Sequence, residues 1–432
     1  MVRLQALRDR LRTSLWFLPA LFAIGAGLLA AGLLTLDRAL AGRDAMFVFA
    51  FGGAPEGARV VLSTIAQSML TFTGLVFSIT MLVLQLASSQ LSPRVMRTFL
   101  GDRANQVVLG LFVATFVFTL AVLREVRAPV DGGTGFVPAV SVWVAFALLL
   151  GSVGAFIYYI DHMAQAIRAT SVIVSIWGET AAAIERLLPD TEDAPSDRPS
   201  PAVQGPVRGA AILLNAPKAG YVVRLDEGAM LAAAGREGRL IELLPRVGDF
   251  VTEGGPLARL TGDWDRDAAA TVRGAVGIGR ERTGEQDIAF GLRQLVDIAI
   301  RALSPGINDP TTAVQSLDRL IDLLERLVRR PLWSSQRSTG GTVRLIVPTY
   351  AWPDFVRLAI DEIRIAGEGQ LQVARRLDSA LADLLALAPA ERRAPILAQL
   401  AALDASVTRS FPDDFDRAYA REGSGVATRK GR

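Results

Sequence analysis

VVLSTIAQSMLTFTGLVFSITMLVLQLASSQLSP, residues Val60 to Pro93, runs for 34 residues without a charge. A membrane helix needs about 20 apolar residues to cross a hydrocarbon core of roughly 30 Å, and at about 1.5 Å per residue this run reaches roughly 50 Å. It is longer than an anchor requires. Its polar residues recur at a fixed interval: Thr64, Thr71, Ser78 and Gln85 stand seven apart, Gln67, Ser68 and Gly74 fall on the same side, and Ile65, Met69, Phe72, Val76 and Ile79 face away. The segment reads as a lipid-compatible rod carrying one polar stripe.

Three further charge-free spans, Thr13 to Leu36, Ala104 to Leu123 and Gly132 to Ile160, are each long enough to cross a bilayer. The expectation is therefore a membrane α-helical part with four transmembrane helices. Arg3, Arg8, Arg10 and Arg12 precede the first span and Ala39-Leu40-Ala41 follows it, as in a signal peptide. Its apolar region is longer than the roughly 7 to 15 residues of a signal, so it reads as a retained helix. Seven arginines (those four with Arg94, Arg97 and Arg103) lie on one side, against five on the other (Arg38, Arg43, Arg59, Arg124 and Arg127). The positive-inside bias places both termini in the cytoplasm. The basic loop Arg94, Arg97, Arg103 reads as that bias meeting anionic lipid.

Of the 432 residues 51% are hydrophobic, concentrated in the first 165 positions, which separates a membrane part from a region outside the bilayer. There is no cysteine, which removes disulfides, thiolate catalysis and thiolate zinc sites. His162 is the one histidine, too little for a conventional zinc centre. It reads as an interface residue. The net charge of +3 is spread among interleaved arginines and acids, which is not a nucleic-acid footprint.

The expected organisation is a four-helix transmembrane domain over 1–165, a helical extension of the last membrane helix over 166–188, and a linker over 189–208 rich in proline. A small β-module follows over 209–265, then a mainly helical cytoplasmic domain over 266–421 and a disordered tail over 422–432. Small residues at helix-packing spacing, Ala23, Gly27 and Ala31 in the first span and Gly151 and Ala155 in the fourth, read as bundle contacts. In the β-module, Tyr221-Val222-Val223 and Leu240 to Leu243 are strand signals, and Gly248, Asp249, Val251 and Gly254 form a Gly-Asp-x-Val-x-x-Gly turn. Gly220 to Leu260 resembles the biotinyl/lipoyl-type barrel-sandwich module, which implies a β-barrel-like fold. The segment has no lysine to carry a cofactor, since Lys218 precedes it, so no cofactor is expected.

Helix signals in the remainder cover Phe290 to Leu303, Asp309 to Arg329, Pro353 to Ile365, Gln370 to Leu387 and Ala390 to Ser410, with one strand at Thr342 to Val347. Arg293 and Asp297 stand four apart on the polar face of the first, where they support each other. Ser304-Pro305-Gly306-Ile307-Asn308-Asp309-Pro310 makes a turn, with Asp309 capping a helix and Pro310 in its first position. Asn308, Asp309 and Thr312, with Arg293 and Asp297, are the ligand or interface candidates of this region.

The phrases TGLVFSIT (Thr73 to Thr80), QLASSQLSPR (Gln85 to Arg94) and FGLRQL (Phe290 to Leu295), leading into SPGINDP, resemble the bacterial predicted membrane proteins grouped as domain of unknown function 2254. The resemblance implies a multi-pass bacterial inner-membrane protein and supplies no catalytic residues. No phosphate loop, Gly-x-Ser-x-Gly elbow or calcium loop is present, so no enzyme and no metal site is expected. Two functions compete. Thr64, Gln67, Ser68, Thr71, Gly74, Ser78 and Gln85 line a pathway in an oligomeric channel, with the bilayer and further copies of the chain as partners. Alternatively they glue helices together in a membrane-anchored scaffold whose cytoplasmic domain binds a protein partner.

Overall fold

The computed structural model describes residues 16–40, 55–90, 103–127, 136–166, 168–188, 211–236, 238–339 and 342–421. The linker at 189–208, the tail at 422–432, and Arg94 and Arg97 lie outside the described residues. Two compact units divide the chain, Met1–Ser171 and Val172–Arg432.

The N-terminal unit contains four helices long and apolar enough to span a membrane: α1 (Phe17–Leu40), α2 (Pro55–Gln90), α3 (Arg103–Glu125) and α4 (Ala139–Ala166). They fall on the four charge-free spans because apolar side chains in lipid leave the backbone no partner except its own helical hydrogen bonds. α3 is the central helix. Half of its apolar window is buried within the unit, against 22 to 28% for the others. Gly110 explains part of this, since a Cβ there would sit 3.1 Å from the Phe22 ring of α1. Phe72, Phe112 and Phe156 close the core between α2, α3 and α4, with Phe72 and Phe156 stacked at 4.8 Å. On α1 the buried face is Ala26, Ala30 and Leu34, so the small residues that pack lie beside Ala23, Gly27 and Ala31, and Ala31 is exposed.

The fourth span and its extension are two helices, α4 ending at Ala166 and α5 (Ala169–Leu187) starting anew, where the residue pattern reads as one. No proline or glycine marks the break.

In the C-terminal unit, β1 (Ala211–Asn215), β2 (Gly220–Leu225), β3 (Leu240–Leu243), β4 (Phe250–Val251), β5 (Pro256–Thr261) and β6 (Val276–Gly279) frame α6 (Glu227–Ala233) and α7 (Arg266–Ala275). Then come α8 (Ile288–Ala302), α9 (Pro310–Val328), the hairpin β7 (Gln336–Thr339) and β8 (Thr342–Ile346), and helices α10 (Trp352–Ala366), α11 (Leu371–Leu387), α12 (Arg393–Ser410) and α13 (Asp414–Arg421). The helical stretches match their periodicities closely. The β-region does not close into a barrel. Strands of the 220–260 segment divide between a five-stranded sheet, β1-β5-β3-β8-β7, and a three-stranded sheet, β4-β2-β6. The larger sheet is extended by the later hairpin, with β8 parallel to β3 (Ile241 opposite Leu345). A strand from the helical region thus completes the β-module's sheet, and Val222, Ile241, Leu257, Leu260 and Leu345 share one core.

α5 crosses α8 at close range. A Cβ on Gly291 would lie 1.9 Å from Thr180 Oγ1, which accounts for the glycine in FGLRQL. Trp177 Nε1 donates to Asp322 of α9 at 2.6 Å and Trp333 Nε1 to the Leu187 carbonyl at 3.1 Å, so α5 is fastened along its length.

Candidate functional site

On α2 the structure turns the polar stripe away from its own bundle. Thr64, Gln67, Thr71, Gly74, Ser78 and Gln85 are exposed and Ser68 is half-buried, while Leu62, Ile65, Met69, Val76 and Val83 are buried on the opposite side and Phe72 and Ile79 partly so. At about 100° per residue, Gln67, Thr71, Gly74, Ser78 and Gln85 fall within an arc of about 60°. Leu70, Phe77 and Met81 flank that arc and are also exposed.

The hydroxyls of the stripe are satisfied by their own helix. Thr64 donates to the Val60 carbonyl at 2.8 Å, Ser68 to Thr64 at 2.8 Å, Thr71 to Gln67 at 3.0 Å and Ser78 to Gly74 at 2.9 Å. A Ser or Thr hydroxyl in a helix reaches the carbonyl one turn back in this way. An amide cannot be satisfied so locally, because it carries two donors and an acceptor. Among the described residues neither the Gln67 nor the Gln85 side-chain amide has a hydrogen-bond partner. Gly74 is equally open, with nothing within 4 Å of the position a Cβ would take.

A different set of polar residues joins the helices. Thr80 Oγ1 of α2 and the Tyr159 hydroxyl of α4 lie 2.8 Å apart, and both reach the Val76 carbonyl, at 2.8 and 3.1 Å. Thr115 of α3 meets Ser152 of α4 at 3.1 Å. Buried Asp37, at the end of α1, accepts from the amides of Val140 and Ser141 at 3.0 and 3.1 Å and from the Ser141 hydroxyl at 2.6 Å. A carboxylate there complements the positive end of α4 and its free N–H groups. Sequence reasoning missed these residues. The one available signal was an acid directly after one span combined with a serine at the start of another.

In the C-terminal unit the five candidates form two separate structural joints. Asp309 caps α9, accepting from Thr312 N at 3.0 Å and Thr312 Oγ1 at 2.5 Å, and these bonds hold its carboxyl below the usual carboxylate range. Asn308 adopts the left-handed conformation (φ 50°) and accepts from Gln370 Nε2 at 3.1 Å, tying the corner to the start of α11. Arg293 bonds Asp297 at 2.7 Å and grips Glu362 of α10 through two nitrogens, lowering the pKa of Glu362. Arg293 lies about 14 Å along α8 from its last residue, Ala302, at about 1.5 Å per residue.

A chain with four bilayer-length helices in one unit and a mixed helix-and-sheet unit after them is a multi-pass membrane protein. It belongs to the DUF2254 family of predicted membrane proteins, whose pattern matches residues 12–383. It is similar to an uncharacterized protein of Mycobacterium tuberculosis and to one of Mycobacterium bovis, each 36% identical over 442 residues that cover 99% of this chain and 82% of the relative. No solved structure matches it.

Proposed function

We propose that the protein is the subunit of an oligomeric channel or channel-like transport protein in a bacterial inner membrane. Both termini are cytoplasmic, and the exposed polar arc of α2 lines the path. The support is the division of labour among polar side chains. Helix-to-helix hydrogen bonds within the chain use Thr80, Tyr159, Thr115 and Ser152, whereas Gln67, Thr71, Gly74, Ser78 and Gln85 point outward. An amide left in hydrocarbon without a partner costs about 2 to 7 kcal/mol, so this arc needs water or another chain against it. Several copies around an axis supply both. We read the chain as a non-enzyme.

The chain has no cysteine, so Thr71→Cys and Ser78→Cys can be labelled without background. Membrane-impermeant thiol reagents are expected to label both in intact oligomers, and reconstituted vesicles to pass ions. Absence of labelling at both sites together with absence of flux overturns the reading. A second reading, a membrane-anchored scaffold that binds a protein partner, draws on exposed Ile212, Leu213 and Phe250 in the C-terminal unit. That reading predicts a stripe that is dry and unlabelled.

A further inference from the structure

The C-terminal unit contains a cavity of about 300 Å³, partly open to the surface, where the strands meet the start of α8 and the segment leading into α10. Leu225, Val247, Ile288, Val347, Trp333 and Phe355 form its apolar wall. The volume is at the lower end of the range for small-molecule sites, and an apolar wall with a few convergent polar groups is their usual composition.

Most of the polar groups around it are already engaged. Arg337 holds Glu227 at 2.7 and 3.2 Å, and Arg282 holds buried Asp287 at 2.9 and 3.1 Å. Gln286 is bonded in both directions to the backbone of Leu225, at 2.8 and 3.3 Å. Gly248 (φ 94°) presses on the Arg282–Asp287 pair, where a Cβ would lie 2.4 Å from Asp287 Oδ2. The VGD turn therefore packs on the pair whose Asp287 lines the cavity.

Two groups remain. The Arg246 guanidinium stacks 4.6 Å from the centre of the Tyr350 ring and lies 3.8 Å from Asp354, beyond hydrogen-bond distance. Asp354 has its own partners in Arg357 at 3.0 Å and the Ala351 amide at 3.0 Å, so it does not depend on Arg246. The Tyr350 hydroxyl has no hydrogen-bond partner among the described residues. A guanidinium and a phenol side by side are matched by one carboxylate. A second negative charge would face the carboxylates of Asp287 and Glu227, which also line the cavity.

We propose that this cavity binds a small amphipathic monocarboxylate. Its carboxylate sits on Arg246 and Tyr350, and its ring or short acyl body lies against Trp333, Phe355 and the aliphatic wall. The site does not depend on what α2 faces.

The test is calorimetric titration of the full chain in phosphatidylcholine nanodiscs, with empty discs as baseline. Octanoate and 3-phenylpropionate are the probes, and octanol and inorganic phosphate the controls. At least one carboxylate is expected to bind saturably and about tenfold more tightly than either control, the ratio expected of a charge-assisted contact. Octanoate alone binding identifies an acyl body, and 3-phenylpropionate alone a ring. Arg246→Gln should weaken binding about tenfold and Tyr350→Phe less. Thr349→Trp, which fills the cavity, should abolish it. Absence of saturable binding, octanol binding as tightly as octanoate, or an unchanged affinity in Arg246→Gln overturns the proposal.

Discussion

The two faces of α2 carry the same residue types to opposite ends. Inward, Thr80 shares its hydroxyl contacts with Tyr159 of α4. Outward, Thr64, Thr71 and Ser78 close bonds to their own helix, and Gln67 and Gln85 have amides without a partner among the described residues. Polarity in a membrane helix therefore does not by itself identify helix glue. What matters is whether the partner is one turn away, on the next helix, or outside the chain. The glycines show the same contrast: Gly74 looks onto open space, and Gly291 onto Thr180 at a distance no side chain fits.

The largest expected effect separates those glycines. Gly291→Ala should destabilise the protein by about 3 kcal/mol through overpacking, whereas Gly74→Ala should leave subunit stability unchanged and alter only assembly or flux. Chemical unfolding of both variants in the same bicelles measures this, and equal losses would erase the distinction. Next, Thr115→Leu or Ser152→Leu at fully buried positions should lose about 2 kcal/mol, while Thr71→Leu and Ser78→Leu stay within about 0.5 kcal/mol of the parent. A loss at Ser78 as large as that at Thr115 would mean that the outer arc is packed within the subunit. Tyr159→Phe, which removes the hydroxyl shared by Thr80 and Val76, should lose about 1 kcal/mol.

The smallest effect is in the C-terminal unit. Asp309 and Glu362 have pKa values lowered in the folded state by Thr312 and Arg293. Their contribution is therefore present above the ordinary carboxylate values and is lost as pH falls through the lowered ones. Glu362 is exposed and Asp309 only half-buried, so Asp309→Asn and Glu362→Gln should each reduce stability by less than about 1 kcal/mol at neutral pH. Their thermal unfolding curves should converge with the parent's in acid. A difference that persists below the titration would assign the loss to packing.

Much of the architecture was legible along the chain. Charge-free length marked the four spans, because lipid admits little else, and the 3.6-residue period marked α8 to α12 within a few residues. Asp309-Pro310 announced the start of α9 because a cap and a first-turn proline act over neighbouring residues. The partner of Asp37 lies more than a hundred residues away, and β8 joins β3 across the same order of separation. No local pattern encodes such pairings. The cavity is assembled in the same way, from Arg246, Asp287, Trp333 and Tyr350, each unremarkable in its own segment.

The sequence by itself determined that this is a four-span membrane protein with a polar stripe on its second helix, because hydrophobic length and helical period are properties of consecutive residues. Only the tertiary structure decided that the stripe points outward, that Thr80, Tyr159, Thr115 and Ser152 hold the helices together, and that the β-module opens into a sheet completed by a later hairpin. The direction a helix face takes depends on which surface its neighbours bury, and those neighbours come from elsewhere in the chain.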